Sequence, residues 1–345
     1  MDKTAVVILN WNGIGYLKQF LGTVTANSEG AGTSIYLADN CSTDGSADWV
    51  EENYPSVKII RLDRNYGFAG GYNLALEQIR ADYYILLNSD VEVTQGWADE
   101  LISFMDNNPD AAACQPKILS WHRRDHFEYA GAAGGYIDRY GYPFCRGRLF
   151  DVCETDKGQY DDIEEVFWTS GSCMIIRSDA WRKCGGLDQD FFAHMEEIDL
   201  CWRLMLAGYR LFYNPGAVVF HVGGGALPYE TPLKVYLNFR NNLFMLYKNL
   251  PDGTRFKTLF IRMLLDGVAA GVFLITGKFR KVYPVLRAHI GFYKSLTSLK
   301  LKRNNVQRSC PDNPFRLILN KSIVFEFYIK GNKTFSSLGT NFKTK

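Results

Sequence analysis

The sequence predicts an α/β fold in which helices flank a mostly parallel central sheet. The apolar run TAVVILN at residues 4–10, bounded by WNG, is typical of a buried strand. Similar runs alternate with helix-like segments as far as residue 93, which is the pattern of βαβ units. Polar residues follow several of these runs. Because ligands of such folds bind at the carboxyl ends of the strands, that edge is the expected site.

Strands and helices are expected along the whole first part of the chain. The predicted strands are residues 4–10, 34–40, 57–63 and one in 83–93 that ends at Asn88–Asp90. The predicted helices are 14–27, one within 41–54 and 65–80. The helix predicted at 65–80 opens with the Gly-rich loop NYGFAGG. Farther along the chain, the stretch 115–165 shows no periodicity. Beyond it we expect a strand in 166–178, a helix in 191–211 and a strand in 211–225 that ends at His221.

Asp39, Asn65 and Asp90 lie at the predicted carboxyl edge of the sheet. Taken alone, Asn88-Ser89-Asp90 is typical of a turn, and Asp39 suits an Asx turn or a helix cap. A carboxylate at this edge can also hold a divalent cation that bridges two phosphates. These residues therefore allow both a structural and a ligand-binding interpretation.

Three acids, Glu196, Glu197 and Asp199, open the helix predicted in 191–211. The apolar residues of that helix repeat at helical spacing, so one face should be buried. The acids either complement the positive end of the helix dipole or include a catalytic group. Asp199 lies four residues before Arg203, so we expect those two to form a structural pair.

Charge is distributed unevenly along the chain. Residues 231–345 contain 21 Lys and Arg against 4 Asp and Glu, a net of +17, which leaves −15 for residues 1–230. This asymmetry favours two parts with different partners. The basic part interleaves cations with aromatic residues, which suggests a region lying on an anionic membrane surface. A solvated basic helix pair is the plainer interpretation, and nucleic-acid binding is disfavoured because no recognition motif accompanies the charge.

No run reaches the roughly 20 apolar residues of a spanning helix. The nearest is 263–277, which is short and carries Asp266. The eight cysteines form no CxxC pair, and the N-terminus enters a strand almost at once. We therefore expect reduced thiols, no signal peptide and a cytoplasmic protein.

Seven motifs occur in order along the chain: VVILNWNG, ADNCSTDGS, RNYGFAGGYN, LLNSDVEV, SGSCMIIRSDAW, GGLDQDFFAHMEEIDLCWRLMLAGYRL and FHVGGG. As a set they resemble the family 2 inverting glycosyltransferases with the GT-A fold, and most closely the bacterial rhamnosyltransferase and galactofuranosyltransferase branch. The resemblance covers about 1–250 and includes NFRNNLFMLYKNLP at 238–251. It implies a GT-A catalytic domain at 1–230 and a basic, mainly helical region at 231–345.

The resemblance implies a nucleotide-sugar site along the sheet edge. The first strand end would touch the nucleotide, Asp39 would accept a hydrogen bond from the pyrimidine imide, and the Gly-rich loop would pack near the ribose and diphosphate. The implied residues are Leu9, Asn10, Trp11, Asn12, Asp39, Asn65, Gly70, Asn73, Asn88 and Ser89.

The resemblance also implies a metal site and a general base. The family's D-x-D motif is Asn88-Ser89-Asp90 here, so Asp90 and His221 would hold Mn²⁺ or Mg²⁺. The family's catalytic E-D is Glu196-Glu197 here, with Glu197 as the base. Glu in place of the usual Asp leaves the choice between Glu196 and Glu197 open. At a helix N-terminus the base is expected to stay ionised.

The implied function is sugar transfer in cell-surface glycan synthesis. The donor would be dTDP-rhamnose, otherwise a UDP-sugar, and the acceptor a glycan or a polyprenyl-diphosphate-linked chain at the inner face of the cytoplasmic membrane. One alternative is a nucleotidyltransferase, which would need a basic Gly-rich loop near the first strand, where only Lys18 is found. A non-catalytic carbohydrate-binding protein or a peripheral membrane scaffold would leave Asp90, Glu197 and His221 without a role.

Overall fold

Four parallel strands form the N-terminal half of the central sheet. A computed structural model describes residues 2–28, 30, 32–223, 231–308 and 315–339. The first strands are β1 (Asp2–Asn10), β2 (Thr33–Asp39), β3 (Lys58–Arg61) and β4 (Ala81–Asn88), separated by α1 (Ile14–Asn27), α2 (Ser46–Asn53) and α3 (Gly67–Glu77). They lie in the order β3-β2-β1-β4. The predicted βαβ alternation is confirmed.

The register of these strands brings their carboxyl ends together. Asn10 of β1 pairs with Asp39 of β2, and Leu9 pairs with Asn88 of β4. Side chains alternate between the two faces, so Val6 and Val7 enter different hydrophobic clusters, as expected for a strand covered on both sides. The core therefore lies in two layers, and the polar residues stand at one edge.

The strand predicted in 83–93 ends where expected, since β4 stops at Asn88. A turn at Ser89-Asp90 follows, and the next residues form a separate strand, β5 (Val91–Val93). β5 leaves β4 and pairs antiparallel with the strand that ends at His221. The break turns Asp90 toward that neighbouring strand, a change of direction that apolar periodicity does not report.

Strands of both directions complete the other half of the sheet. The elements that follow β5 are α4 (Trp97–Asn107), β6 (Ala111–Ser120), β7 (Gly135–Asp138), β8 (Pro143–Cys145), β9 (Arg148–Leu149), β10 (Val152–Cys153), β11 (Glu164–Glu165), β12 (Cys173–Arg177), α5 (Ser178–Lys183), α6 (Glu196–Leu206) and β13 (Arg210–His221). β12 lies antiparallel between β4 and β6, so the sheet is mixed. The strand expected in 166–178 is limited to β12, and residues 224–225 of the one expected in 211–225 lie outside the described residues.

The C-terminal region contributes four long or medium helices, one strand and a short helix. These are α7 (Pro232–Asn249), α8 (Asp252–Ile275), α9 (Val282–Lys294), α10 (Leu296–Arg308), β14 (Ile318–Leu319) and α11 (Ile323–Tyr328). β14 joins β7 in a second sheet of order β10-β9-β8-β7-β14. Contacts thus cross the predicted boundary at residue 230.

α8 differs from the expectation for 263–277. The helix begins at Asp252 and has 24 residues, so by length and composition it is long and apolar enough to cross a membrane. The seven cysteines among the described residues are all free.

Candidate active site

The end of β1 and the loop after β2 form one polar network. The Asn10 amide is buried and donates to Asp39 Oδ1 at 3.2 Å and to the hydroxyls of Ser42 and Ser46 at 3.1 and 2.8 Å. The Ser42 N–H donates to Asp39 Oδ2 at 3.1 Å. Asp39 therefore caps its own turn, as its structural interpretation predicts, while standing at the edge where the nucleotide base is expected.

Trp11 and Asn12 project from the turn after β1. Asn12 has a left-handed backbone with φ of 51°, which Asn tolerates better than most residues. Its Oδ1 accepts from the Thr43 N–H at 2.7 Å, which fixes the turn. Trp11 is exposed, with 48% of its surface accessible, so its indole is available to a ligand.

The Gly-rich loop closes against the same edge. The Asn65 side chain accepts from the Gly67 N–H at 2.8 Å and from the Asn40 amide at 3.1 Å. A Cβ at Gly71 would lie 2.8 Å from Leu9 Cδ1, so only glycine lets α3 approach the end of β1 this closely. Asn73 points elsewhere: its side chain binds the backbone of Leu187 at 2.7 and 3.0 Å.

Gly70 and Ser89 complete the residues expected to contact the donor. A Cβ at Gly70 would lie 2.9 Å from Tyr66 Cβ, and a Cβ at Gly13 would lie 3.3 Å from Ser89 Oγ. Asn88 donates its N–H to the carbonyl of Ser172 at 2.9 Å. The turn after β1 thus lies close to the end of β4, and the Gly-rich loop packs closely on itself.

Asp90 and His221 lie together, with a second acid on the far side of the imidazole. His221 Nε2 is 3.2 Å from Asp90 Oδ1, and His221 Nδ1 is 3.2 Å from Glu128 Oε2. All three residues are at most 5% exposed. Burial alone would lower the pKa of His221, but the two carboxylates raise it to about 10. His221 in turn holds the pKa of Glu128 below its usual range against the effect of burial.

The Asp90–His221 pair is compatible with a divalent cation. Two ligands that each lie about 2.1 Å from one ion at right angles are about 3 Å apart, which matches the observed separation. A carboxylate oxygen and an imidazole nitrogen form a mixed donor set of the kind that transition metals accept. Over the described residues, no three His, Cys, Asp or Glu side chains are grouped so that they could hold an ion. The pair would therefore leave coordination positions open to a ligand.

Glu196 and Glu197 form the first turn of α6. Glu196 is buried, and the Oε2 atoms of both residues are buried without a hydrogen-bond partner in the described part of the chain. Gly171 packs between α3 and α6. A Cβ at this position would lie 3.0 Å from the Phe68 ring and 3.8 Å from Glu197 Cβ. Phe68 belongs to α3, so the acids are adjacent to the Gly-rich loop.

Burial outweighs the helix dipole at these acids. It raises the pKa of Glu197 to about 7, although backbone N–H groups at the start of α6 act in the opposite direction. Burial and the neighbouring Glu197 raise the pKa of Glu196 well above its usual range. The helix dipole therefore does not keep the base ionised as expected, because burial removes the water that would stabilise the charged carboxylate.

The loop before α6 is strained and is held by α7. Phe192, His194 and Met195 all have left-handed backbones, with φ of 64°, 70° and 71°, a conformation that costs free energy at non-Gly residues. The buried Asn241 amide of α7 donates to the carbonyls of Phe191, Ala193 and His194 at 2.9, 2.9 and 2.7 Å. Asn241 thus fixes the approach to the acid pair.

Asp199 has the structural role that its spacing predicts. Its Oδ2 accepts from Arg203 Nε at 2.8 Å and from the buried Lys248 Nζ at 2.9 Å. Its Oδ1 accepts from the Asn249 amide at 2.8 Å. The expected pair with Arg203 is confirmed, and Lys248 extends it to α7.

Sequence reasoning missed Glu128 and Asn241 as parts of this site. Glu128 lies in the stretch 115–165, where no periodicity gives its position. Asn241 belongs to NFRNNLFMLYKNLP, so the resemblance marked its segment but gave it no role.

The fold defines the class of protein. TarS of S. aureus, residues 1–349, matches with a TM-score of 0.55 at 13% identity over 89% of both chains. GalNAc-T7, solved with UDP, GalNAc and Mn²⁺, matches with a TM-score of 0.56 at 14% identity, over 72% of this chain and 48% of that one. The architecture is therefore that of the GT-A glycosyltransferases.

Sequence similarity identifies the family. The profile described as Glycosyl transferase family 2 matches residues 5–180, and this protein belongs to that family. Rhamnosyltransferase WbbL of Escherichia coli (strain K12) is 45% identical over 223 residues, which cover 63% of this chain and 82% of WbbL. The N-acetylglucosaminyl-diphospho-decaprenol L-rhamnosyltransferase of Mycobacterium tuberculosis is 29% identical over 238 residues, which cover 64% of this chain and 76% of that enzyme. The resemblance is confirmed for family and fold.

Proposed function

We propose that this glycosyltransferase moves rhamnose from dTDP-rhamnose, or otherwise a sugar from a UDP-sugar, to a lipid-linked or polysaccharide acceptor in cell-surface glycan synthesis. The 45% identity to a rhamnosyltransferase, over most of that enzyme's length, is the observation that carries this proposal. The name of the mycobacterial relative supports an acceptor built on a polyprenyl diphosphate.

The donor would lie along the carboxyl edge of β1, β2 and β4. Asp39 would accept from the pyrimidine imide, Trp11 would cover the nucleotide, and the Gly-rich loop would approach the diphosphate. Asn73 supports the segment before α6 through Leu187, so its part in donor binding would be indirect.

Asp90 and His221 would hold Mn²⁺ or Mg²⁺ at the diphosphate. Such a cation supplies charge stabilisation to a departing phosphate. Glu128 would keep the His221 ring in place from the opposite side.

Glu197 would be the general base of a single displacement with inversion. The acceptor hydroxyl oxygen forms a bond to the anomeric carbon while the bond from that carbon to the diphosphate oxygen breaks. The hydroxyl proton passes to Glu197, and the nucleoside diphosphate leaves with the bonding electron pair. A base with a pKa of about 7 suits proton transfer near neutral pH.

The enzyme would act on the cytoplasmic side, at the inner face of the membrane. The net charge of +17 on 231–345 supports attraction to anionic lipids. A lipid-linked acceptor would present its diphosphate and sugar at that surface.

A transfer assay tests the proposed donor. Purified protein is mixed with a polyprenyl-diphosphate GlcNAc acceptor, Mn²⁺ and either dTDP-rhamnose or a UDP-hexose. We expect product with dTDP-rhamnose and an inverted anomeric configuration by NMR. Retention of configuration, or transfer from neither donor, would contradict the proposal.

Nucleotide-dependent thermal stability tests the metal pair separately from turnover. With Mn²⁺, dTDP or UDP should raise the melting temperature, since a ligand at a hundredfold excess over its Kd stabilises by about 2.7 kcal/mol. Asp90→Asn should lose this shift, while Asp82→Asn, at the opposite end of β4, should retain it. An unchanged shift in Asp90→Asn would remove Asp90 from the metal site.

A further inference from the structure

One side of α8 is a continuous row of exposed apolar residues. One such residue occurs in each turn, and Phe256 and Ile275 near the two ends are 81% and 89% exposed. We call this set the outer row, and its members are Phe256, Phe260, Leu264, Val268, Val272 and Ile275. A water-soluble surface rarely exposes so long an apolar strip.

The opposite side of α8 is anchored to the protein. Arg262 and Asp266 are buried and form an ion pair at 2.8 Å. Arg262 also donates to Asn242 of α7, and Asp266 lies 3.1 Å from His289 Nε2 of α9. A helix that crossed a bilayer would have to leave these partners or carry them into hydrocarbon, which is costly. α8 therefore stays on the protein with its outer row outward.

The charges around the outer row are almost all positive. From the start of α8 into α10, residues 252–306 contain eleven Lys and Arg and two acids. Asp252 pairs with Arg255 and Arg303, and Asp266 is the buried partner of Arg262. Lys257, Lys278 and Arg280 are exposed beside the two ends of the row. An apolar strip bordered by cations matches a bilayer surface that carries anionic headgroups.

A second exposed row continues the surface onto the next helix. Tyr283, Leu286, Ile290 and Tyr293 of α9 are each more than half exposed. The Tyr293 hydroxyl lies 3.4 Å from Met263 Sδ of α8, so the two helices are in direct contact along this side.

We propose that the outer row of α8 is a membrane-docking surface that lies in the plane of an anionic bilayer. This deepens the membrane location in the proposed function and rests on it. At about 1.5 Å per residue α8 is about 36 Å long, so its length would allow it to span. The anchoring of Arg262 and Asp266 to α7 and α9 instead keeps it along the interface. Docking by α8 would hold the attached α7, and with it the loop before Glu197, close to lipid-linked acceptors.

Full-length protein and vesicle binding test the proposal. Because β14 and α11 pack on the catalytic part, deletion of the C-terminal region is unsuitable and substitutions are used. In the row variant, Phe256→Ser, Phe260→Ser, Val268→Ser and Val272→Ser are combined. The control combines Ile163→Ser and Ile329→Ser, which also remove exposed apolar side chains.

Vesicle binding is measured by sedimentation. The vesicles contain 40% phosphatidylglycerol in phosphatidylcholine, which is roughly the composition of an anionic leaflet. We expect the row variant to bind at least about tenfold more weakly than wild type, and the control to bind like wild type. Wild type should bind pure phosphatidylcholine weakly. Unchanged binding of the row variant would overturn the proposal. The proposal would also be overturned if wild type is a dimer, the row variant is a monomer and both bind vesicles equally, since a second copy of the chain would then cover the row.

Depth measurements separate docking from spanning. In Phe256→Trp, Leu264→Trp and Val272→Trp, the quenching added to the background of the seven native tryptophans should be equal with shallow brominated lipids. If the residue near the middle of α8 is quenched more by deep brominated lipids than the residues near its ends, the helix spans the bilayer. Transfer to a water-soluble acceptor analogue should be normal in the row variant, so a failed docking surface and a failed glycosyltransferase assignment give different results.

Discussion

Glu197 and Asp199 are two residues apart on α6, yet their surroundings differ. Asp199 accepts hydrogen bonds from Lys248, Arg203 and Asn249, and the two cations, Lys248 and Arg203, hold its pKa below the usual range against the effect of burial. Glu197 is buried with no cation among the described residues to lower its pKa, which rises to about 7. One acid is thereby fixed as a structural anion, and the other is left able to take a proton.

Replacing Glu197 by Gln should separate function from stability. We expect turnover to fall by at least about a hundredfold, the usual contribution of a general base. A carboxyl whose folded pKa is raised stabilises the folded state below its ordinary value of 4.5, and this contribution is lost as the pH rises through about 7. The melting temperature of Glu197→Gln should therefore match or exceed that of wild type above pH 7.

The same pKa gives a pH profile for activity. Wild-type kcat/KM should rise with pH up to about 7 and then level off, because the base acts in its ionised form. Glu196→Gln serves as the comparison. If Glu196→Gln abolishes turnover and Glu197→Gln does not, the base is Glu196.

Glu128 should act by positioning His221. Glu128→Ala would leave the His221 ring without its partner on the Nδ1 side, so we expect Mn²⁺ affinity to fall about 10- to 100-fold, measured by titration without nucleotide. Glu128→Gln, which retains an oxygen acceptor, should recover part of the loss. The exposed Asp151→Asn of the same segment is the control. Unaltered affinity in Glu128→Ala would show that the contact is incidental.

Among the elements, α7 and the loop before α6 depend on one another. The left-handed residues Phe192, His194 and Met195 need external support, because each costs roughly 1–3 kcal/mol. Asn241 provides it through three backbone carbonyls. A helix in the basic C-terminal region thus helps to set the position of the acid pair.

Asn241→Ala tests this dependence. Leaving buried carbonyls unpaired costs about 1–3 kcal/mol, so the loop should relax and kcat should fall at least about tenfold. KM for the donor and the nucleotide-dependent thermal shift should change little. Asn238→Ala, which loses only a bond to Lys234 within the same helix, should behave like wild type. An equal loss in both variants would indicate general destabilisation of α7.

At the level of the whole molecule, the C-terminal region is part of the core. Leu317, Leu319, Ile323, Phe327 and Phe335 are buried, and the Ile323 N–H donates to the buried Asp138 at 2.9 Å. Burial of one such apolar side chain contributes about 1.5–3 kcal/mol, against a total stability of about 5–15 kcal/mol.

A chain that ends at residue 308 should therefore fail to reach the native state. We expect lower solubility, ANS binding and no cooperative thermal transition. A chain that ends at residue 339 is the matched control and should unfold like wild type. If both chains melt at the wild-type temperature, residues 315–339 would be dispensable and the boundary predicted at 230 would gain support.

Much of the fold could be predicted, and some of the site could not. The βαβ order and the position of Asp39 and Asp90 at strand ends follow from apolar runs and turn signals. The pairing of β5 with β13 and the antiparallel direction of β12 depend on which strand lies beside which. Glu128 reaches His221 from a segment with no periodic pattern, so local sequence carries no signal for it.

The sequence by itself determined the α/β class, the family, the Asp199–Arg203 pair and the acids from which the base must come. These depend on short-range periodicity and on motifs that stay in order along the chain. The tertiary structure alone decided that Glu128 meets His221, that Asn241 supports the loop before Glu197, and that burial raises the pKa of Glu197. Those outcomes depend on distances between residues far apart in sequence and on how completely water is excluded, and neither quantity is local.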